Sequence, residues 1–182
     1  MHPAEHALES ERRLFPATHE LTDPTTPGKS LLTRATHPAT TELSLTPISG
    51  EADWARYERF RIEVEAGFGV GPELARAMVT TLRERTVHLG LTMLFARTTG
   101  DVVGAVGFFR LTDPAWARLQ EVDVFPAWRG RGFGNALLSA VSAHLAGIGV
   151  GTSVVGADED DWPLSWYRRR GFTVVTRVPL SR

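Results

Sequence analysis

From Glu121 to Asn135 the chain reads EVDVFPAWRGRGFGN, a strand-like alternation followed by two arginines set among glycines. Gly130, Gly132 and Gly134 would let backbone come close to a ligand, and Arg129 and Arg131 add positive charge. The segment runs straight into a helical pattern, so the unpaired first-turn amides and the positive end of the helix dipole fall here too. This combination suits an anion, best a phosphate or pyrophosphate. It has neither the Gly-Lys-Ser/Thr of a nucleoside-triphosphate loop nor G-x-G-x-x-G spacing. The alternative is a surface turn with solvated arginines. A second stretch, DDWPLSWYRRRGF from Asp160 to Phe172, places Tyr167 on a short helix ending at Gly171. Taken alone, Tyr167 reads as a core aromatic whose hydroxyl finds a backbone partner, and Arg168 to Arg170 as a solvated basic face.

The elements that must position these residues follow from periodicity. Leu43, Leu45 and Pro47 alternate as a half-buried strand over 42–47. Ser49 can cap a helix over 51–66 with Trp54, Tyr57, Phe60 and Val64 as its stripe. Gly67, Gly69 and Gly71 break it, and Pro72 starts a second helix with Leu74, Ala77, Met78, Thr81 and Leu82 inward. Strands are predicted over 91–97, 102–111 and 118–125, the first two joined by a turn at Thr99-Gly100-Asp101. A helix over 132–146, a strand over 152–156, a short helix capped by Asp160 or Asp161, and a strand over 172–180 complete the order. The result is an α/β (α+β) fold, a mixed, mostly antiparallel sheet flanked by helices.

Composition narrows the function classes. There is no cysteine, which excludes disulfides, thiolate metal sites and a cysteine nucleophile. Twenty basic and 21 acidic residues leave a net charge of −1, so no global field draws nucleic acid or an anionic membrane. The longest apolar stretch, 102–109, is far shorter than the roughly 20 residues a membrane helix needs. Glu5, Glu9 and Glu11 stand where a signal peptide would carry positive charge. A soluble, cytoplasmic protein is expected. Residues 1–40 hold five of the eleven prolines and little periodicity beyond a short helix over 5–14. They read as a flexible Pro/Thr-rich N-terminal extension, mobile or draped over a domain at 41–182. His2 and His6 are spaced like ligands but lack an evident third, so no metal is expected.

Together the two motifs resemble the GNAT superfamily of acetyl-CoA-dependent N-acetyltransferases. Arg129, Gly132 and Gly134 meet the pattern Arg/Gln-x-x-Gly-x-Gly/Ala after Val122-Asp-Val124-x-Pro126, and Tyr167, Gly171 and Phe172 meet Tyr-x-x-x-Gly-Phe. The resemblance covers about 42–180. It implies a GNAT-like fold with acetyl-CoA as co-substrate, and transfer of the acetyl group directly to a primary amine of a small-molecule or protein acceptor. A non-catalytic acyl-CoA-binding sensor is the alternative. Backbone groups of Val122, Asp123 and Val124 would hold the pantetheine arm and polarise the thioester carbonyl. Amides of Arg129, Gly130, Arg131, Gly132, Phe133, Gly134 and Asn135 would cradle the pyrophosphate. Tyr167 would be the general acid toward the departing thiolate. Where the family often has Asn bonding the cofactor arm, this chain has Asp160. The chain also runs to one strand beyond Tyr167, where many relatives have two. The chemistry further asks for a base to deprotonate the attacking ammonium. Glu121 is the first candidate and Asp123 the second, against the alternative that both pair with arginines. Glu63 and Glu65, near the 67–71 loop, could instead bind a cationic acceptor. No nucleic-acid or membrane partner is expected, and homodimers are frequent in such proteins.

Overall fold

The computed structural model describes residues 2–180. Five helices, α1 (Pro3–Leu14), α2 (Gly50–Ala66), α3 (Pro72–His88), α4 (Phe133–Gly147) and α5 (Trp162–Arg168), alternate with seven strands. These are β1 (Gly28–Ala35), β2 (Ser44–Pro47), β3 (Thr92–Arg97), β4 (Val102–Arg110), β5 (Trp116–Val124), β6 (Thr152–Asp158) and β7 (Thr173–Pro179). The strands hydrogen-bond in the order β2-β3-β4-β5-β6-β1-β7. The β5/β6 pair is parallel, and the β2/β3, β3/β4, β1/β6 and β1/β7 pairs are antiparallel. From β2 onward the element order is the one expected. Among the described residues no helix is long and apolar enough to cross a membrane.

The chain divides into two compact units. One comprises Met1–His37, Arg110–Leu119 and Leu145–Arg182, the other Pro38–Phe109 and Gln120–His144. The first unit corrects the reading of residues 1–40 as a flexible tail. α1 is closed by a capping box in which His2 Nδ1 accepts from the Ala4 amide and Glu5 accepts from the His2 amide. β1 lies between β6 and β7, with Leu32 opposite Val155 on one side and Val174 on the other. Leu31 and Leu32 are fully buried, each burial stabilising by roughly 1.5–3 kcal/mol. The prolines that suggest disorder are confined to the connections and to the first turn of α1, where proline is tolerated. His6 stacks on Trp116 at 4.3 Å. Glu11, wholly buried, pairs with Arg118 at 2.8 Å and Lys29 at 3.0 Å. Arg118 in turn packs where only a glycine, Gly156, leaves room.

In the second unit α2 and α3 pack together, and Phe60 of α2 stacks on Phe125 at 4.1 Å. Tyr57, Phe95, Phe109, Phe125, Leu137 and Leu138 form its core. Of the expected inner face of α3, Leu82 is buried and the rest is corrected. The buried line is Ala75, Val79 and Leu82, whereas Leu74 is 59% and Met78 37% exposed. The helix touches the core along one narrow stripe, so residues one position back fall about 100° away. Ser49 does precede α2, but its hydroxyl caps nothing; its amide donates to Asp53 Oδ2 at 3.1 Å.

Candidate active site

β5 is regular only at its start. Its parallel register on β6 runs from Trp116 opposite Thr152 to Arg118 opposite Val154. Three residues later Glu121 adopts φ +49°, the one left-handed non-glycine conformation among the described residues. That geometry costs roughly 1–2 kcal/mol. A bend of this kind re-aims side chains, and it collects at functional sites. β4 accommodates it with Gly104, where any Cβ would collide with the Asp123 carbonyl.

Beyond the bend, Glu121 and Asp123 converge on one cation, and here the arginine-pairing alternative is what the structure contains. Arg61 of α2 reaches Glu121 Oε2 at 2.6 Å, Asp123 Oδ2 at 2.5 Å and, one helical turn along, Glu65 Oε1 at 2.6 Å. Burial pushes both β5 carboxyls up, and Arg61 pulls against it. Burial also works against the Arg61 cation, yet Glu121 and Asp123 hold it above its ordinary value. Glu65 is therefore engaged within the cluster, while Glu63 is exposed. Sequence reasoning passed over Arg61. The available signal was Tyr57, Arg61 and Glu65 at i, i+4 and i+8, which stacks them on one helix face. A cavity of about 190 Å³ opens beside this cluster, lined by Tyr57, Arg61, Arg85 and Glu121 together with apolar residues of α3.

The glycine-arginine segment forms the turn into α4. Gly130 and Gly132 have φ of +73° and +85°, and a Cβ at either would meet no atom within 4 Å. The Gly132 carbonyl accepts from the amides of Asn135 and Ala136 and so starts the helix. Arg131, Gly132, Phe133 and Asn135 border a cavity of about 390 Å³ whose other wall includes Thr40 to Glu42. The guanidinium of Arg131 lies 5.3 Å from the Trp128 ring. Arg129 folds back and donates its Nε–H to the Val124 carbonyl at 3.0 Å, so this oxygen already has a donor. Glu121, Val122 to Val124 and Arg129 to Asn135 are thus all in one unit.

Tyr167 and Asp160 belong to the other unit. Tyr167 is buried edge-on against Trp166 and Phe172, and the Arg118 charge acts on it. Gly171 has φ +81°, the conformation expected where α5 ends. Of the two candidate caps for α5, Asp161 serves, accepting from the Trp162 amide at 2.7 Å. Asp160 is exposed.

Residues 90–174, a little under half of the chain and including both motifs, match the family model of the acetyltransferase (GNAT) domain. This segment is similar to a GNAT acetyltransferase domain. Solved structures share the GNAT fold. A functionally unknown conserved protein from Staphylococcus epidermidis superposes with a TM-score of 0.61 at 11% identity, over 93% of this chain and 63% of that one. A tandem GNAT protein from the clavulanic acid biosynthesis pathway gives 0.56 at 18%, over 88% and 53%. A GCN5-related N-acetyltransferase from Ralstonia eutropha gives 0.54 at 22%, over 77% and 97%. The chain therefore spans less than two thirds of the first two, and at these identities the likeness is one of fold. No curated protein matches the sequence. The GNAT family uses an acyl-CoA co-substrate.

Proposed function

We propose that this GNAT-like domain moves the acetyl group of acetyl-CoA directly to the nitrogen of a primary amine. The observation that carries the reading is the turn into α4: Gly130 and Gly132 are left-handed with open Cβ positions, and Gly132, Arg131 and the helix N-terminus border one cavity. The residues fit a pyrophosphate, because backbone donors there can approach oxygen without side-chain obstruction. Acetyl-CoA supplies an activated thioester carbonyl. Backbone groups of Val122 and Asp123 would hold its arm. Amides of Gly130 to Gly134 would cradle its phosphates, the Asn135 amide being bonded to the Gly132 carbonyl. The contact proposed for Asp160 is weakened by its anionic charge beside a polyanion.

The acceptor ammonium must lose a proton before its lone pair attacks. Glu121, raised by burial, is the proposed base. The new C–N bond forms, the C–S bond breaks, Tyr167 donates its proton to the departing thiolate, and the second proton that the nitrogen sheds on becoming an amide passes to solvent, which reprotonates Tyr167. Tyr167→Phe keeps the ring packing and deletes that proton. If the hydroxyl acts in the transition state, kcat and kcat/KM fall together by about 10²–10⁴-fold with little change in acetyl-CoA affinity. Steady-state thiol release and unfolding measured on one preparation decide this; wild-type turnover in the folded variant removes Tyr167 from the mechanism. The sensor reading has one observation in its favour, the engagement of both candidate bases by Arg61. It predicts acetyl-CoA binding with no amine-dependent thiol release from any member of an amine panel.

A further inference from the structure

The cavity between α2, α3 and the bent part of β5 contains more chemistry than the capture of an amine needs. One wall is apolar, made by Met78, Val79 and Leu82 of α3. The polar residues of the lining are Glu121, Arg61, Arg85 and Tyr57. Tyr57 is 0% exposed, and among the described residues its oxygen makes no hydrogen bond of good geometry, Arg61 being the polar group beside it. A buried hydroxyl short of a partner is costly, and this one belongs to a residue of the cavity lining, within reach of a ligand only if the side chains around it shift.

The charges set a second condition. Glu65, Glu121 and Asp123 are faced by Arg61 through direct ion pairs, by Arg85 acting on Glu121, and by Arg129 acting on Asp123. Three carboxylates are thus set against three guanidiniums. A ligand with net charge would add an uncompensated charge to a largely buried cluster, which is unfavourable. A ligand carrying one charge of each sign leaves the balance intact. It also finds an anion on β5 and a cation on α3, with a short hydrocarbon wall beside them.

We propose that the acceptor is a small zwitterion, an aliphatic amine that also bears a carboxylate, held in this cavity with its ammonium at Glu121 and its carboxylate toward Arg85 and Tyr57. The inference deepens the acetyltransferase reading and rests on it. The carboxylate is a handle and is unchanged by the reaction. The ammonium gives one proton to Glu121, the freed nitrogen bonds to the acetyl carbon, and the C–S bond breaks as described above. The volume of about 190 Å³ favours a spacer of a few carbons over an aromatic or peptide acceptor.

The test uses the full chain with three amino acids, glycine, 3-aminopropanoate and 4-aminobutanoate. Propylamine lacks the carboxylate and propanoate lacks the amine. Thiol release from acetyl-CoA should favour at least one amino acid over propylamine by tenfold or more in kcat/KM. That preference should fall at least tenfold in Arg85→Gln. Tyr57→Phe should weaken amino-acid binding, read by saturation-transfer NMR, while its melting temperature holds or rises because a buried hydroxyl short of a partner is gone. That second variant keeps the test decisive if Arg85→Gln folds poorly. Propylamine equal to or better than all three amino acids overturns the proposal, as does the absence of amino-acid binding by NMR. Amino acids that bind, compete with one another and lose affinity in Tyr57→Phe, yet release no thiol, uphold the site and refute the transfer reading instead.

Discussion

Removing the Arg61 guanidinium would leave Glu65, Glu121 and Asp123 without the cation they share. The side chains of Glu121 and Asp123 keep 21% and 23% exposure, so solvent offers partial compensation. Arg61→Leu should therefore cost about 3 kcal/mol, the lower end of the range for breaking a buried pair, measured by urea unfolding. The loss should depend on pH in a definite sense. A carboxyl raised in the folded state favours folding below its ordinary range and loses that advantage as pH climbs through the folded value. Burial raises Glu121 and Asp123 already, and deleting Arg61 raises them further. The deficit of the variant should be largest near neutrality and shrink as pH falls toward the ordinary carboxylate range; a deficit that grows on acidification contradicts this account. At the α4 turn, Gly132→Glu places a negative side chain at a left-handed position with open space around it. The fold should survive the strain of roughly 1–2 kcal/mol. Acetyl-CoA affinity should drop at least about tenfold, or 1.4 kcal/mol, by calorimetry. Unchanged affinity would move the phosphate site elsewhere. The glycine-arginine turn into α4 was legible because glycine and arginine spacing is a local property. The Arg61 hub was not, because Arg61 lies 60 residues before Glu121 in sequence.

β1 shows what element-level reading misses and why. A strand bonded on both edges is expected to announce itself by a run of branched apolar residues, yet KSLLTRA offers only Leu31 and Leu32. The rest of its stability comes from pairing with β6 and β7, which are more than 100 residues away in sequence. Deleting residues 1–38 should therefore abolish cooperative thermal unfolding rather than leave an intact domain, because β6 and β7 lose the strand between them and Arg118 loses Glu11. The milder Leu32→Ala should cost about 2–5 kcal/mol. A truncated protein that melts cooperatively near the wild-type temperature would restore the view of a dispensable tail. β1 takes its place in the sheet between β6 and β7. α3 failed in a different way. Its period is helical and its start at Pro72 was readable, but Leu74 and Met78 are as apolar as Val79, and which of them turns inward depends on the partner surface.

At the scale of the whole molecule the donor can be tested without knowing the acceptor. A ligand at 100 times its Kd adds about 2.7 kcal/mol to stability. For a chain of 182 residues this should raise Tm by roughly 5–10 °C with acetyl-CoA. A comparable rise with CoA lacking the acetyl group would assign most of the binding to the phosphates and the pantetheine arm; no rise with either would refute acetyl-CoA as co-substrate. The near-neutral net charge predicts no comparable stabilisation by nucleic acid. The sequence by itself determined the helix and strand order from β2 onward, the turn into α4, the Tyr167–Gly171–Phe172 motif and the family they resemble. All of these rest on interactions between residues a few positions apart, where spacing and backbone preference suffice. Tertiary structure alone decided that residues 28–35 enter the sheet, that Glu121 takes a left-handed bend against Gly104, and that Arg61 gathers three carboxylates beside the buried Tyr57 side chain. Each of these joins segments distant in sequence, and a contact between distant segments is settled by which surfaces bury together, a quantity that no local pattern of residues encodes.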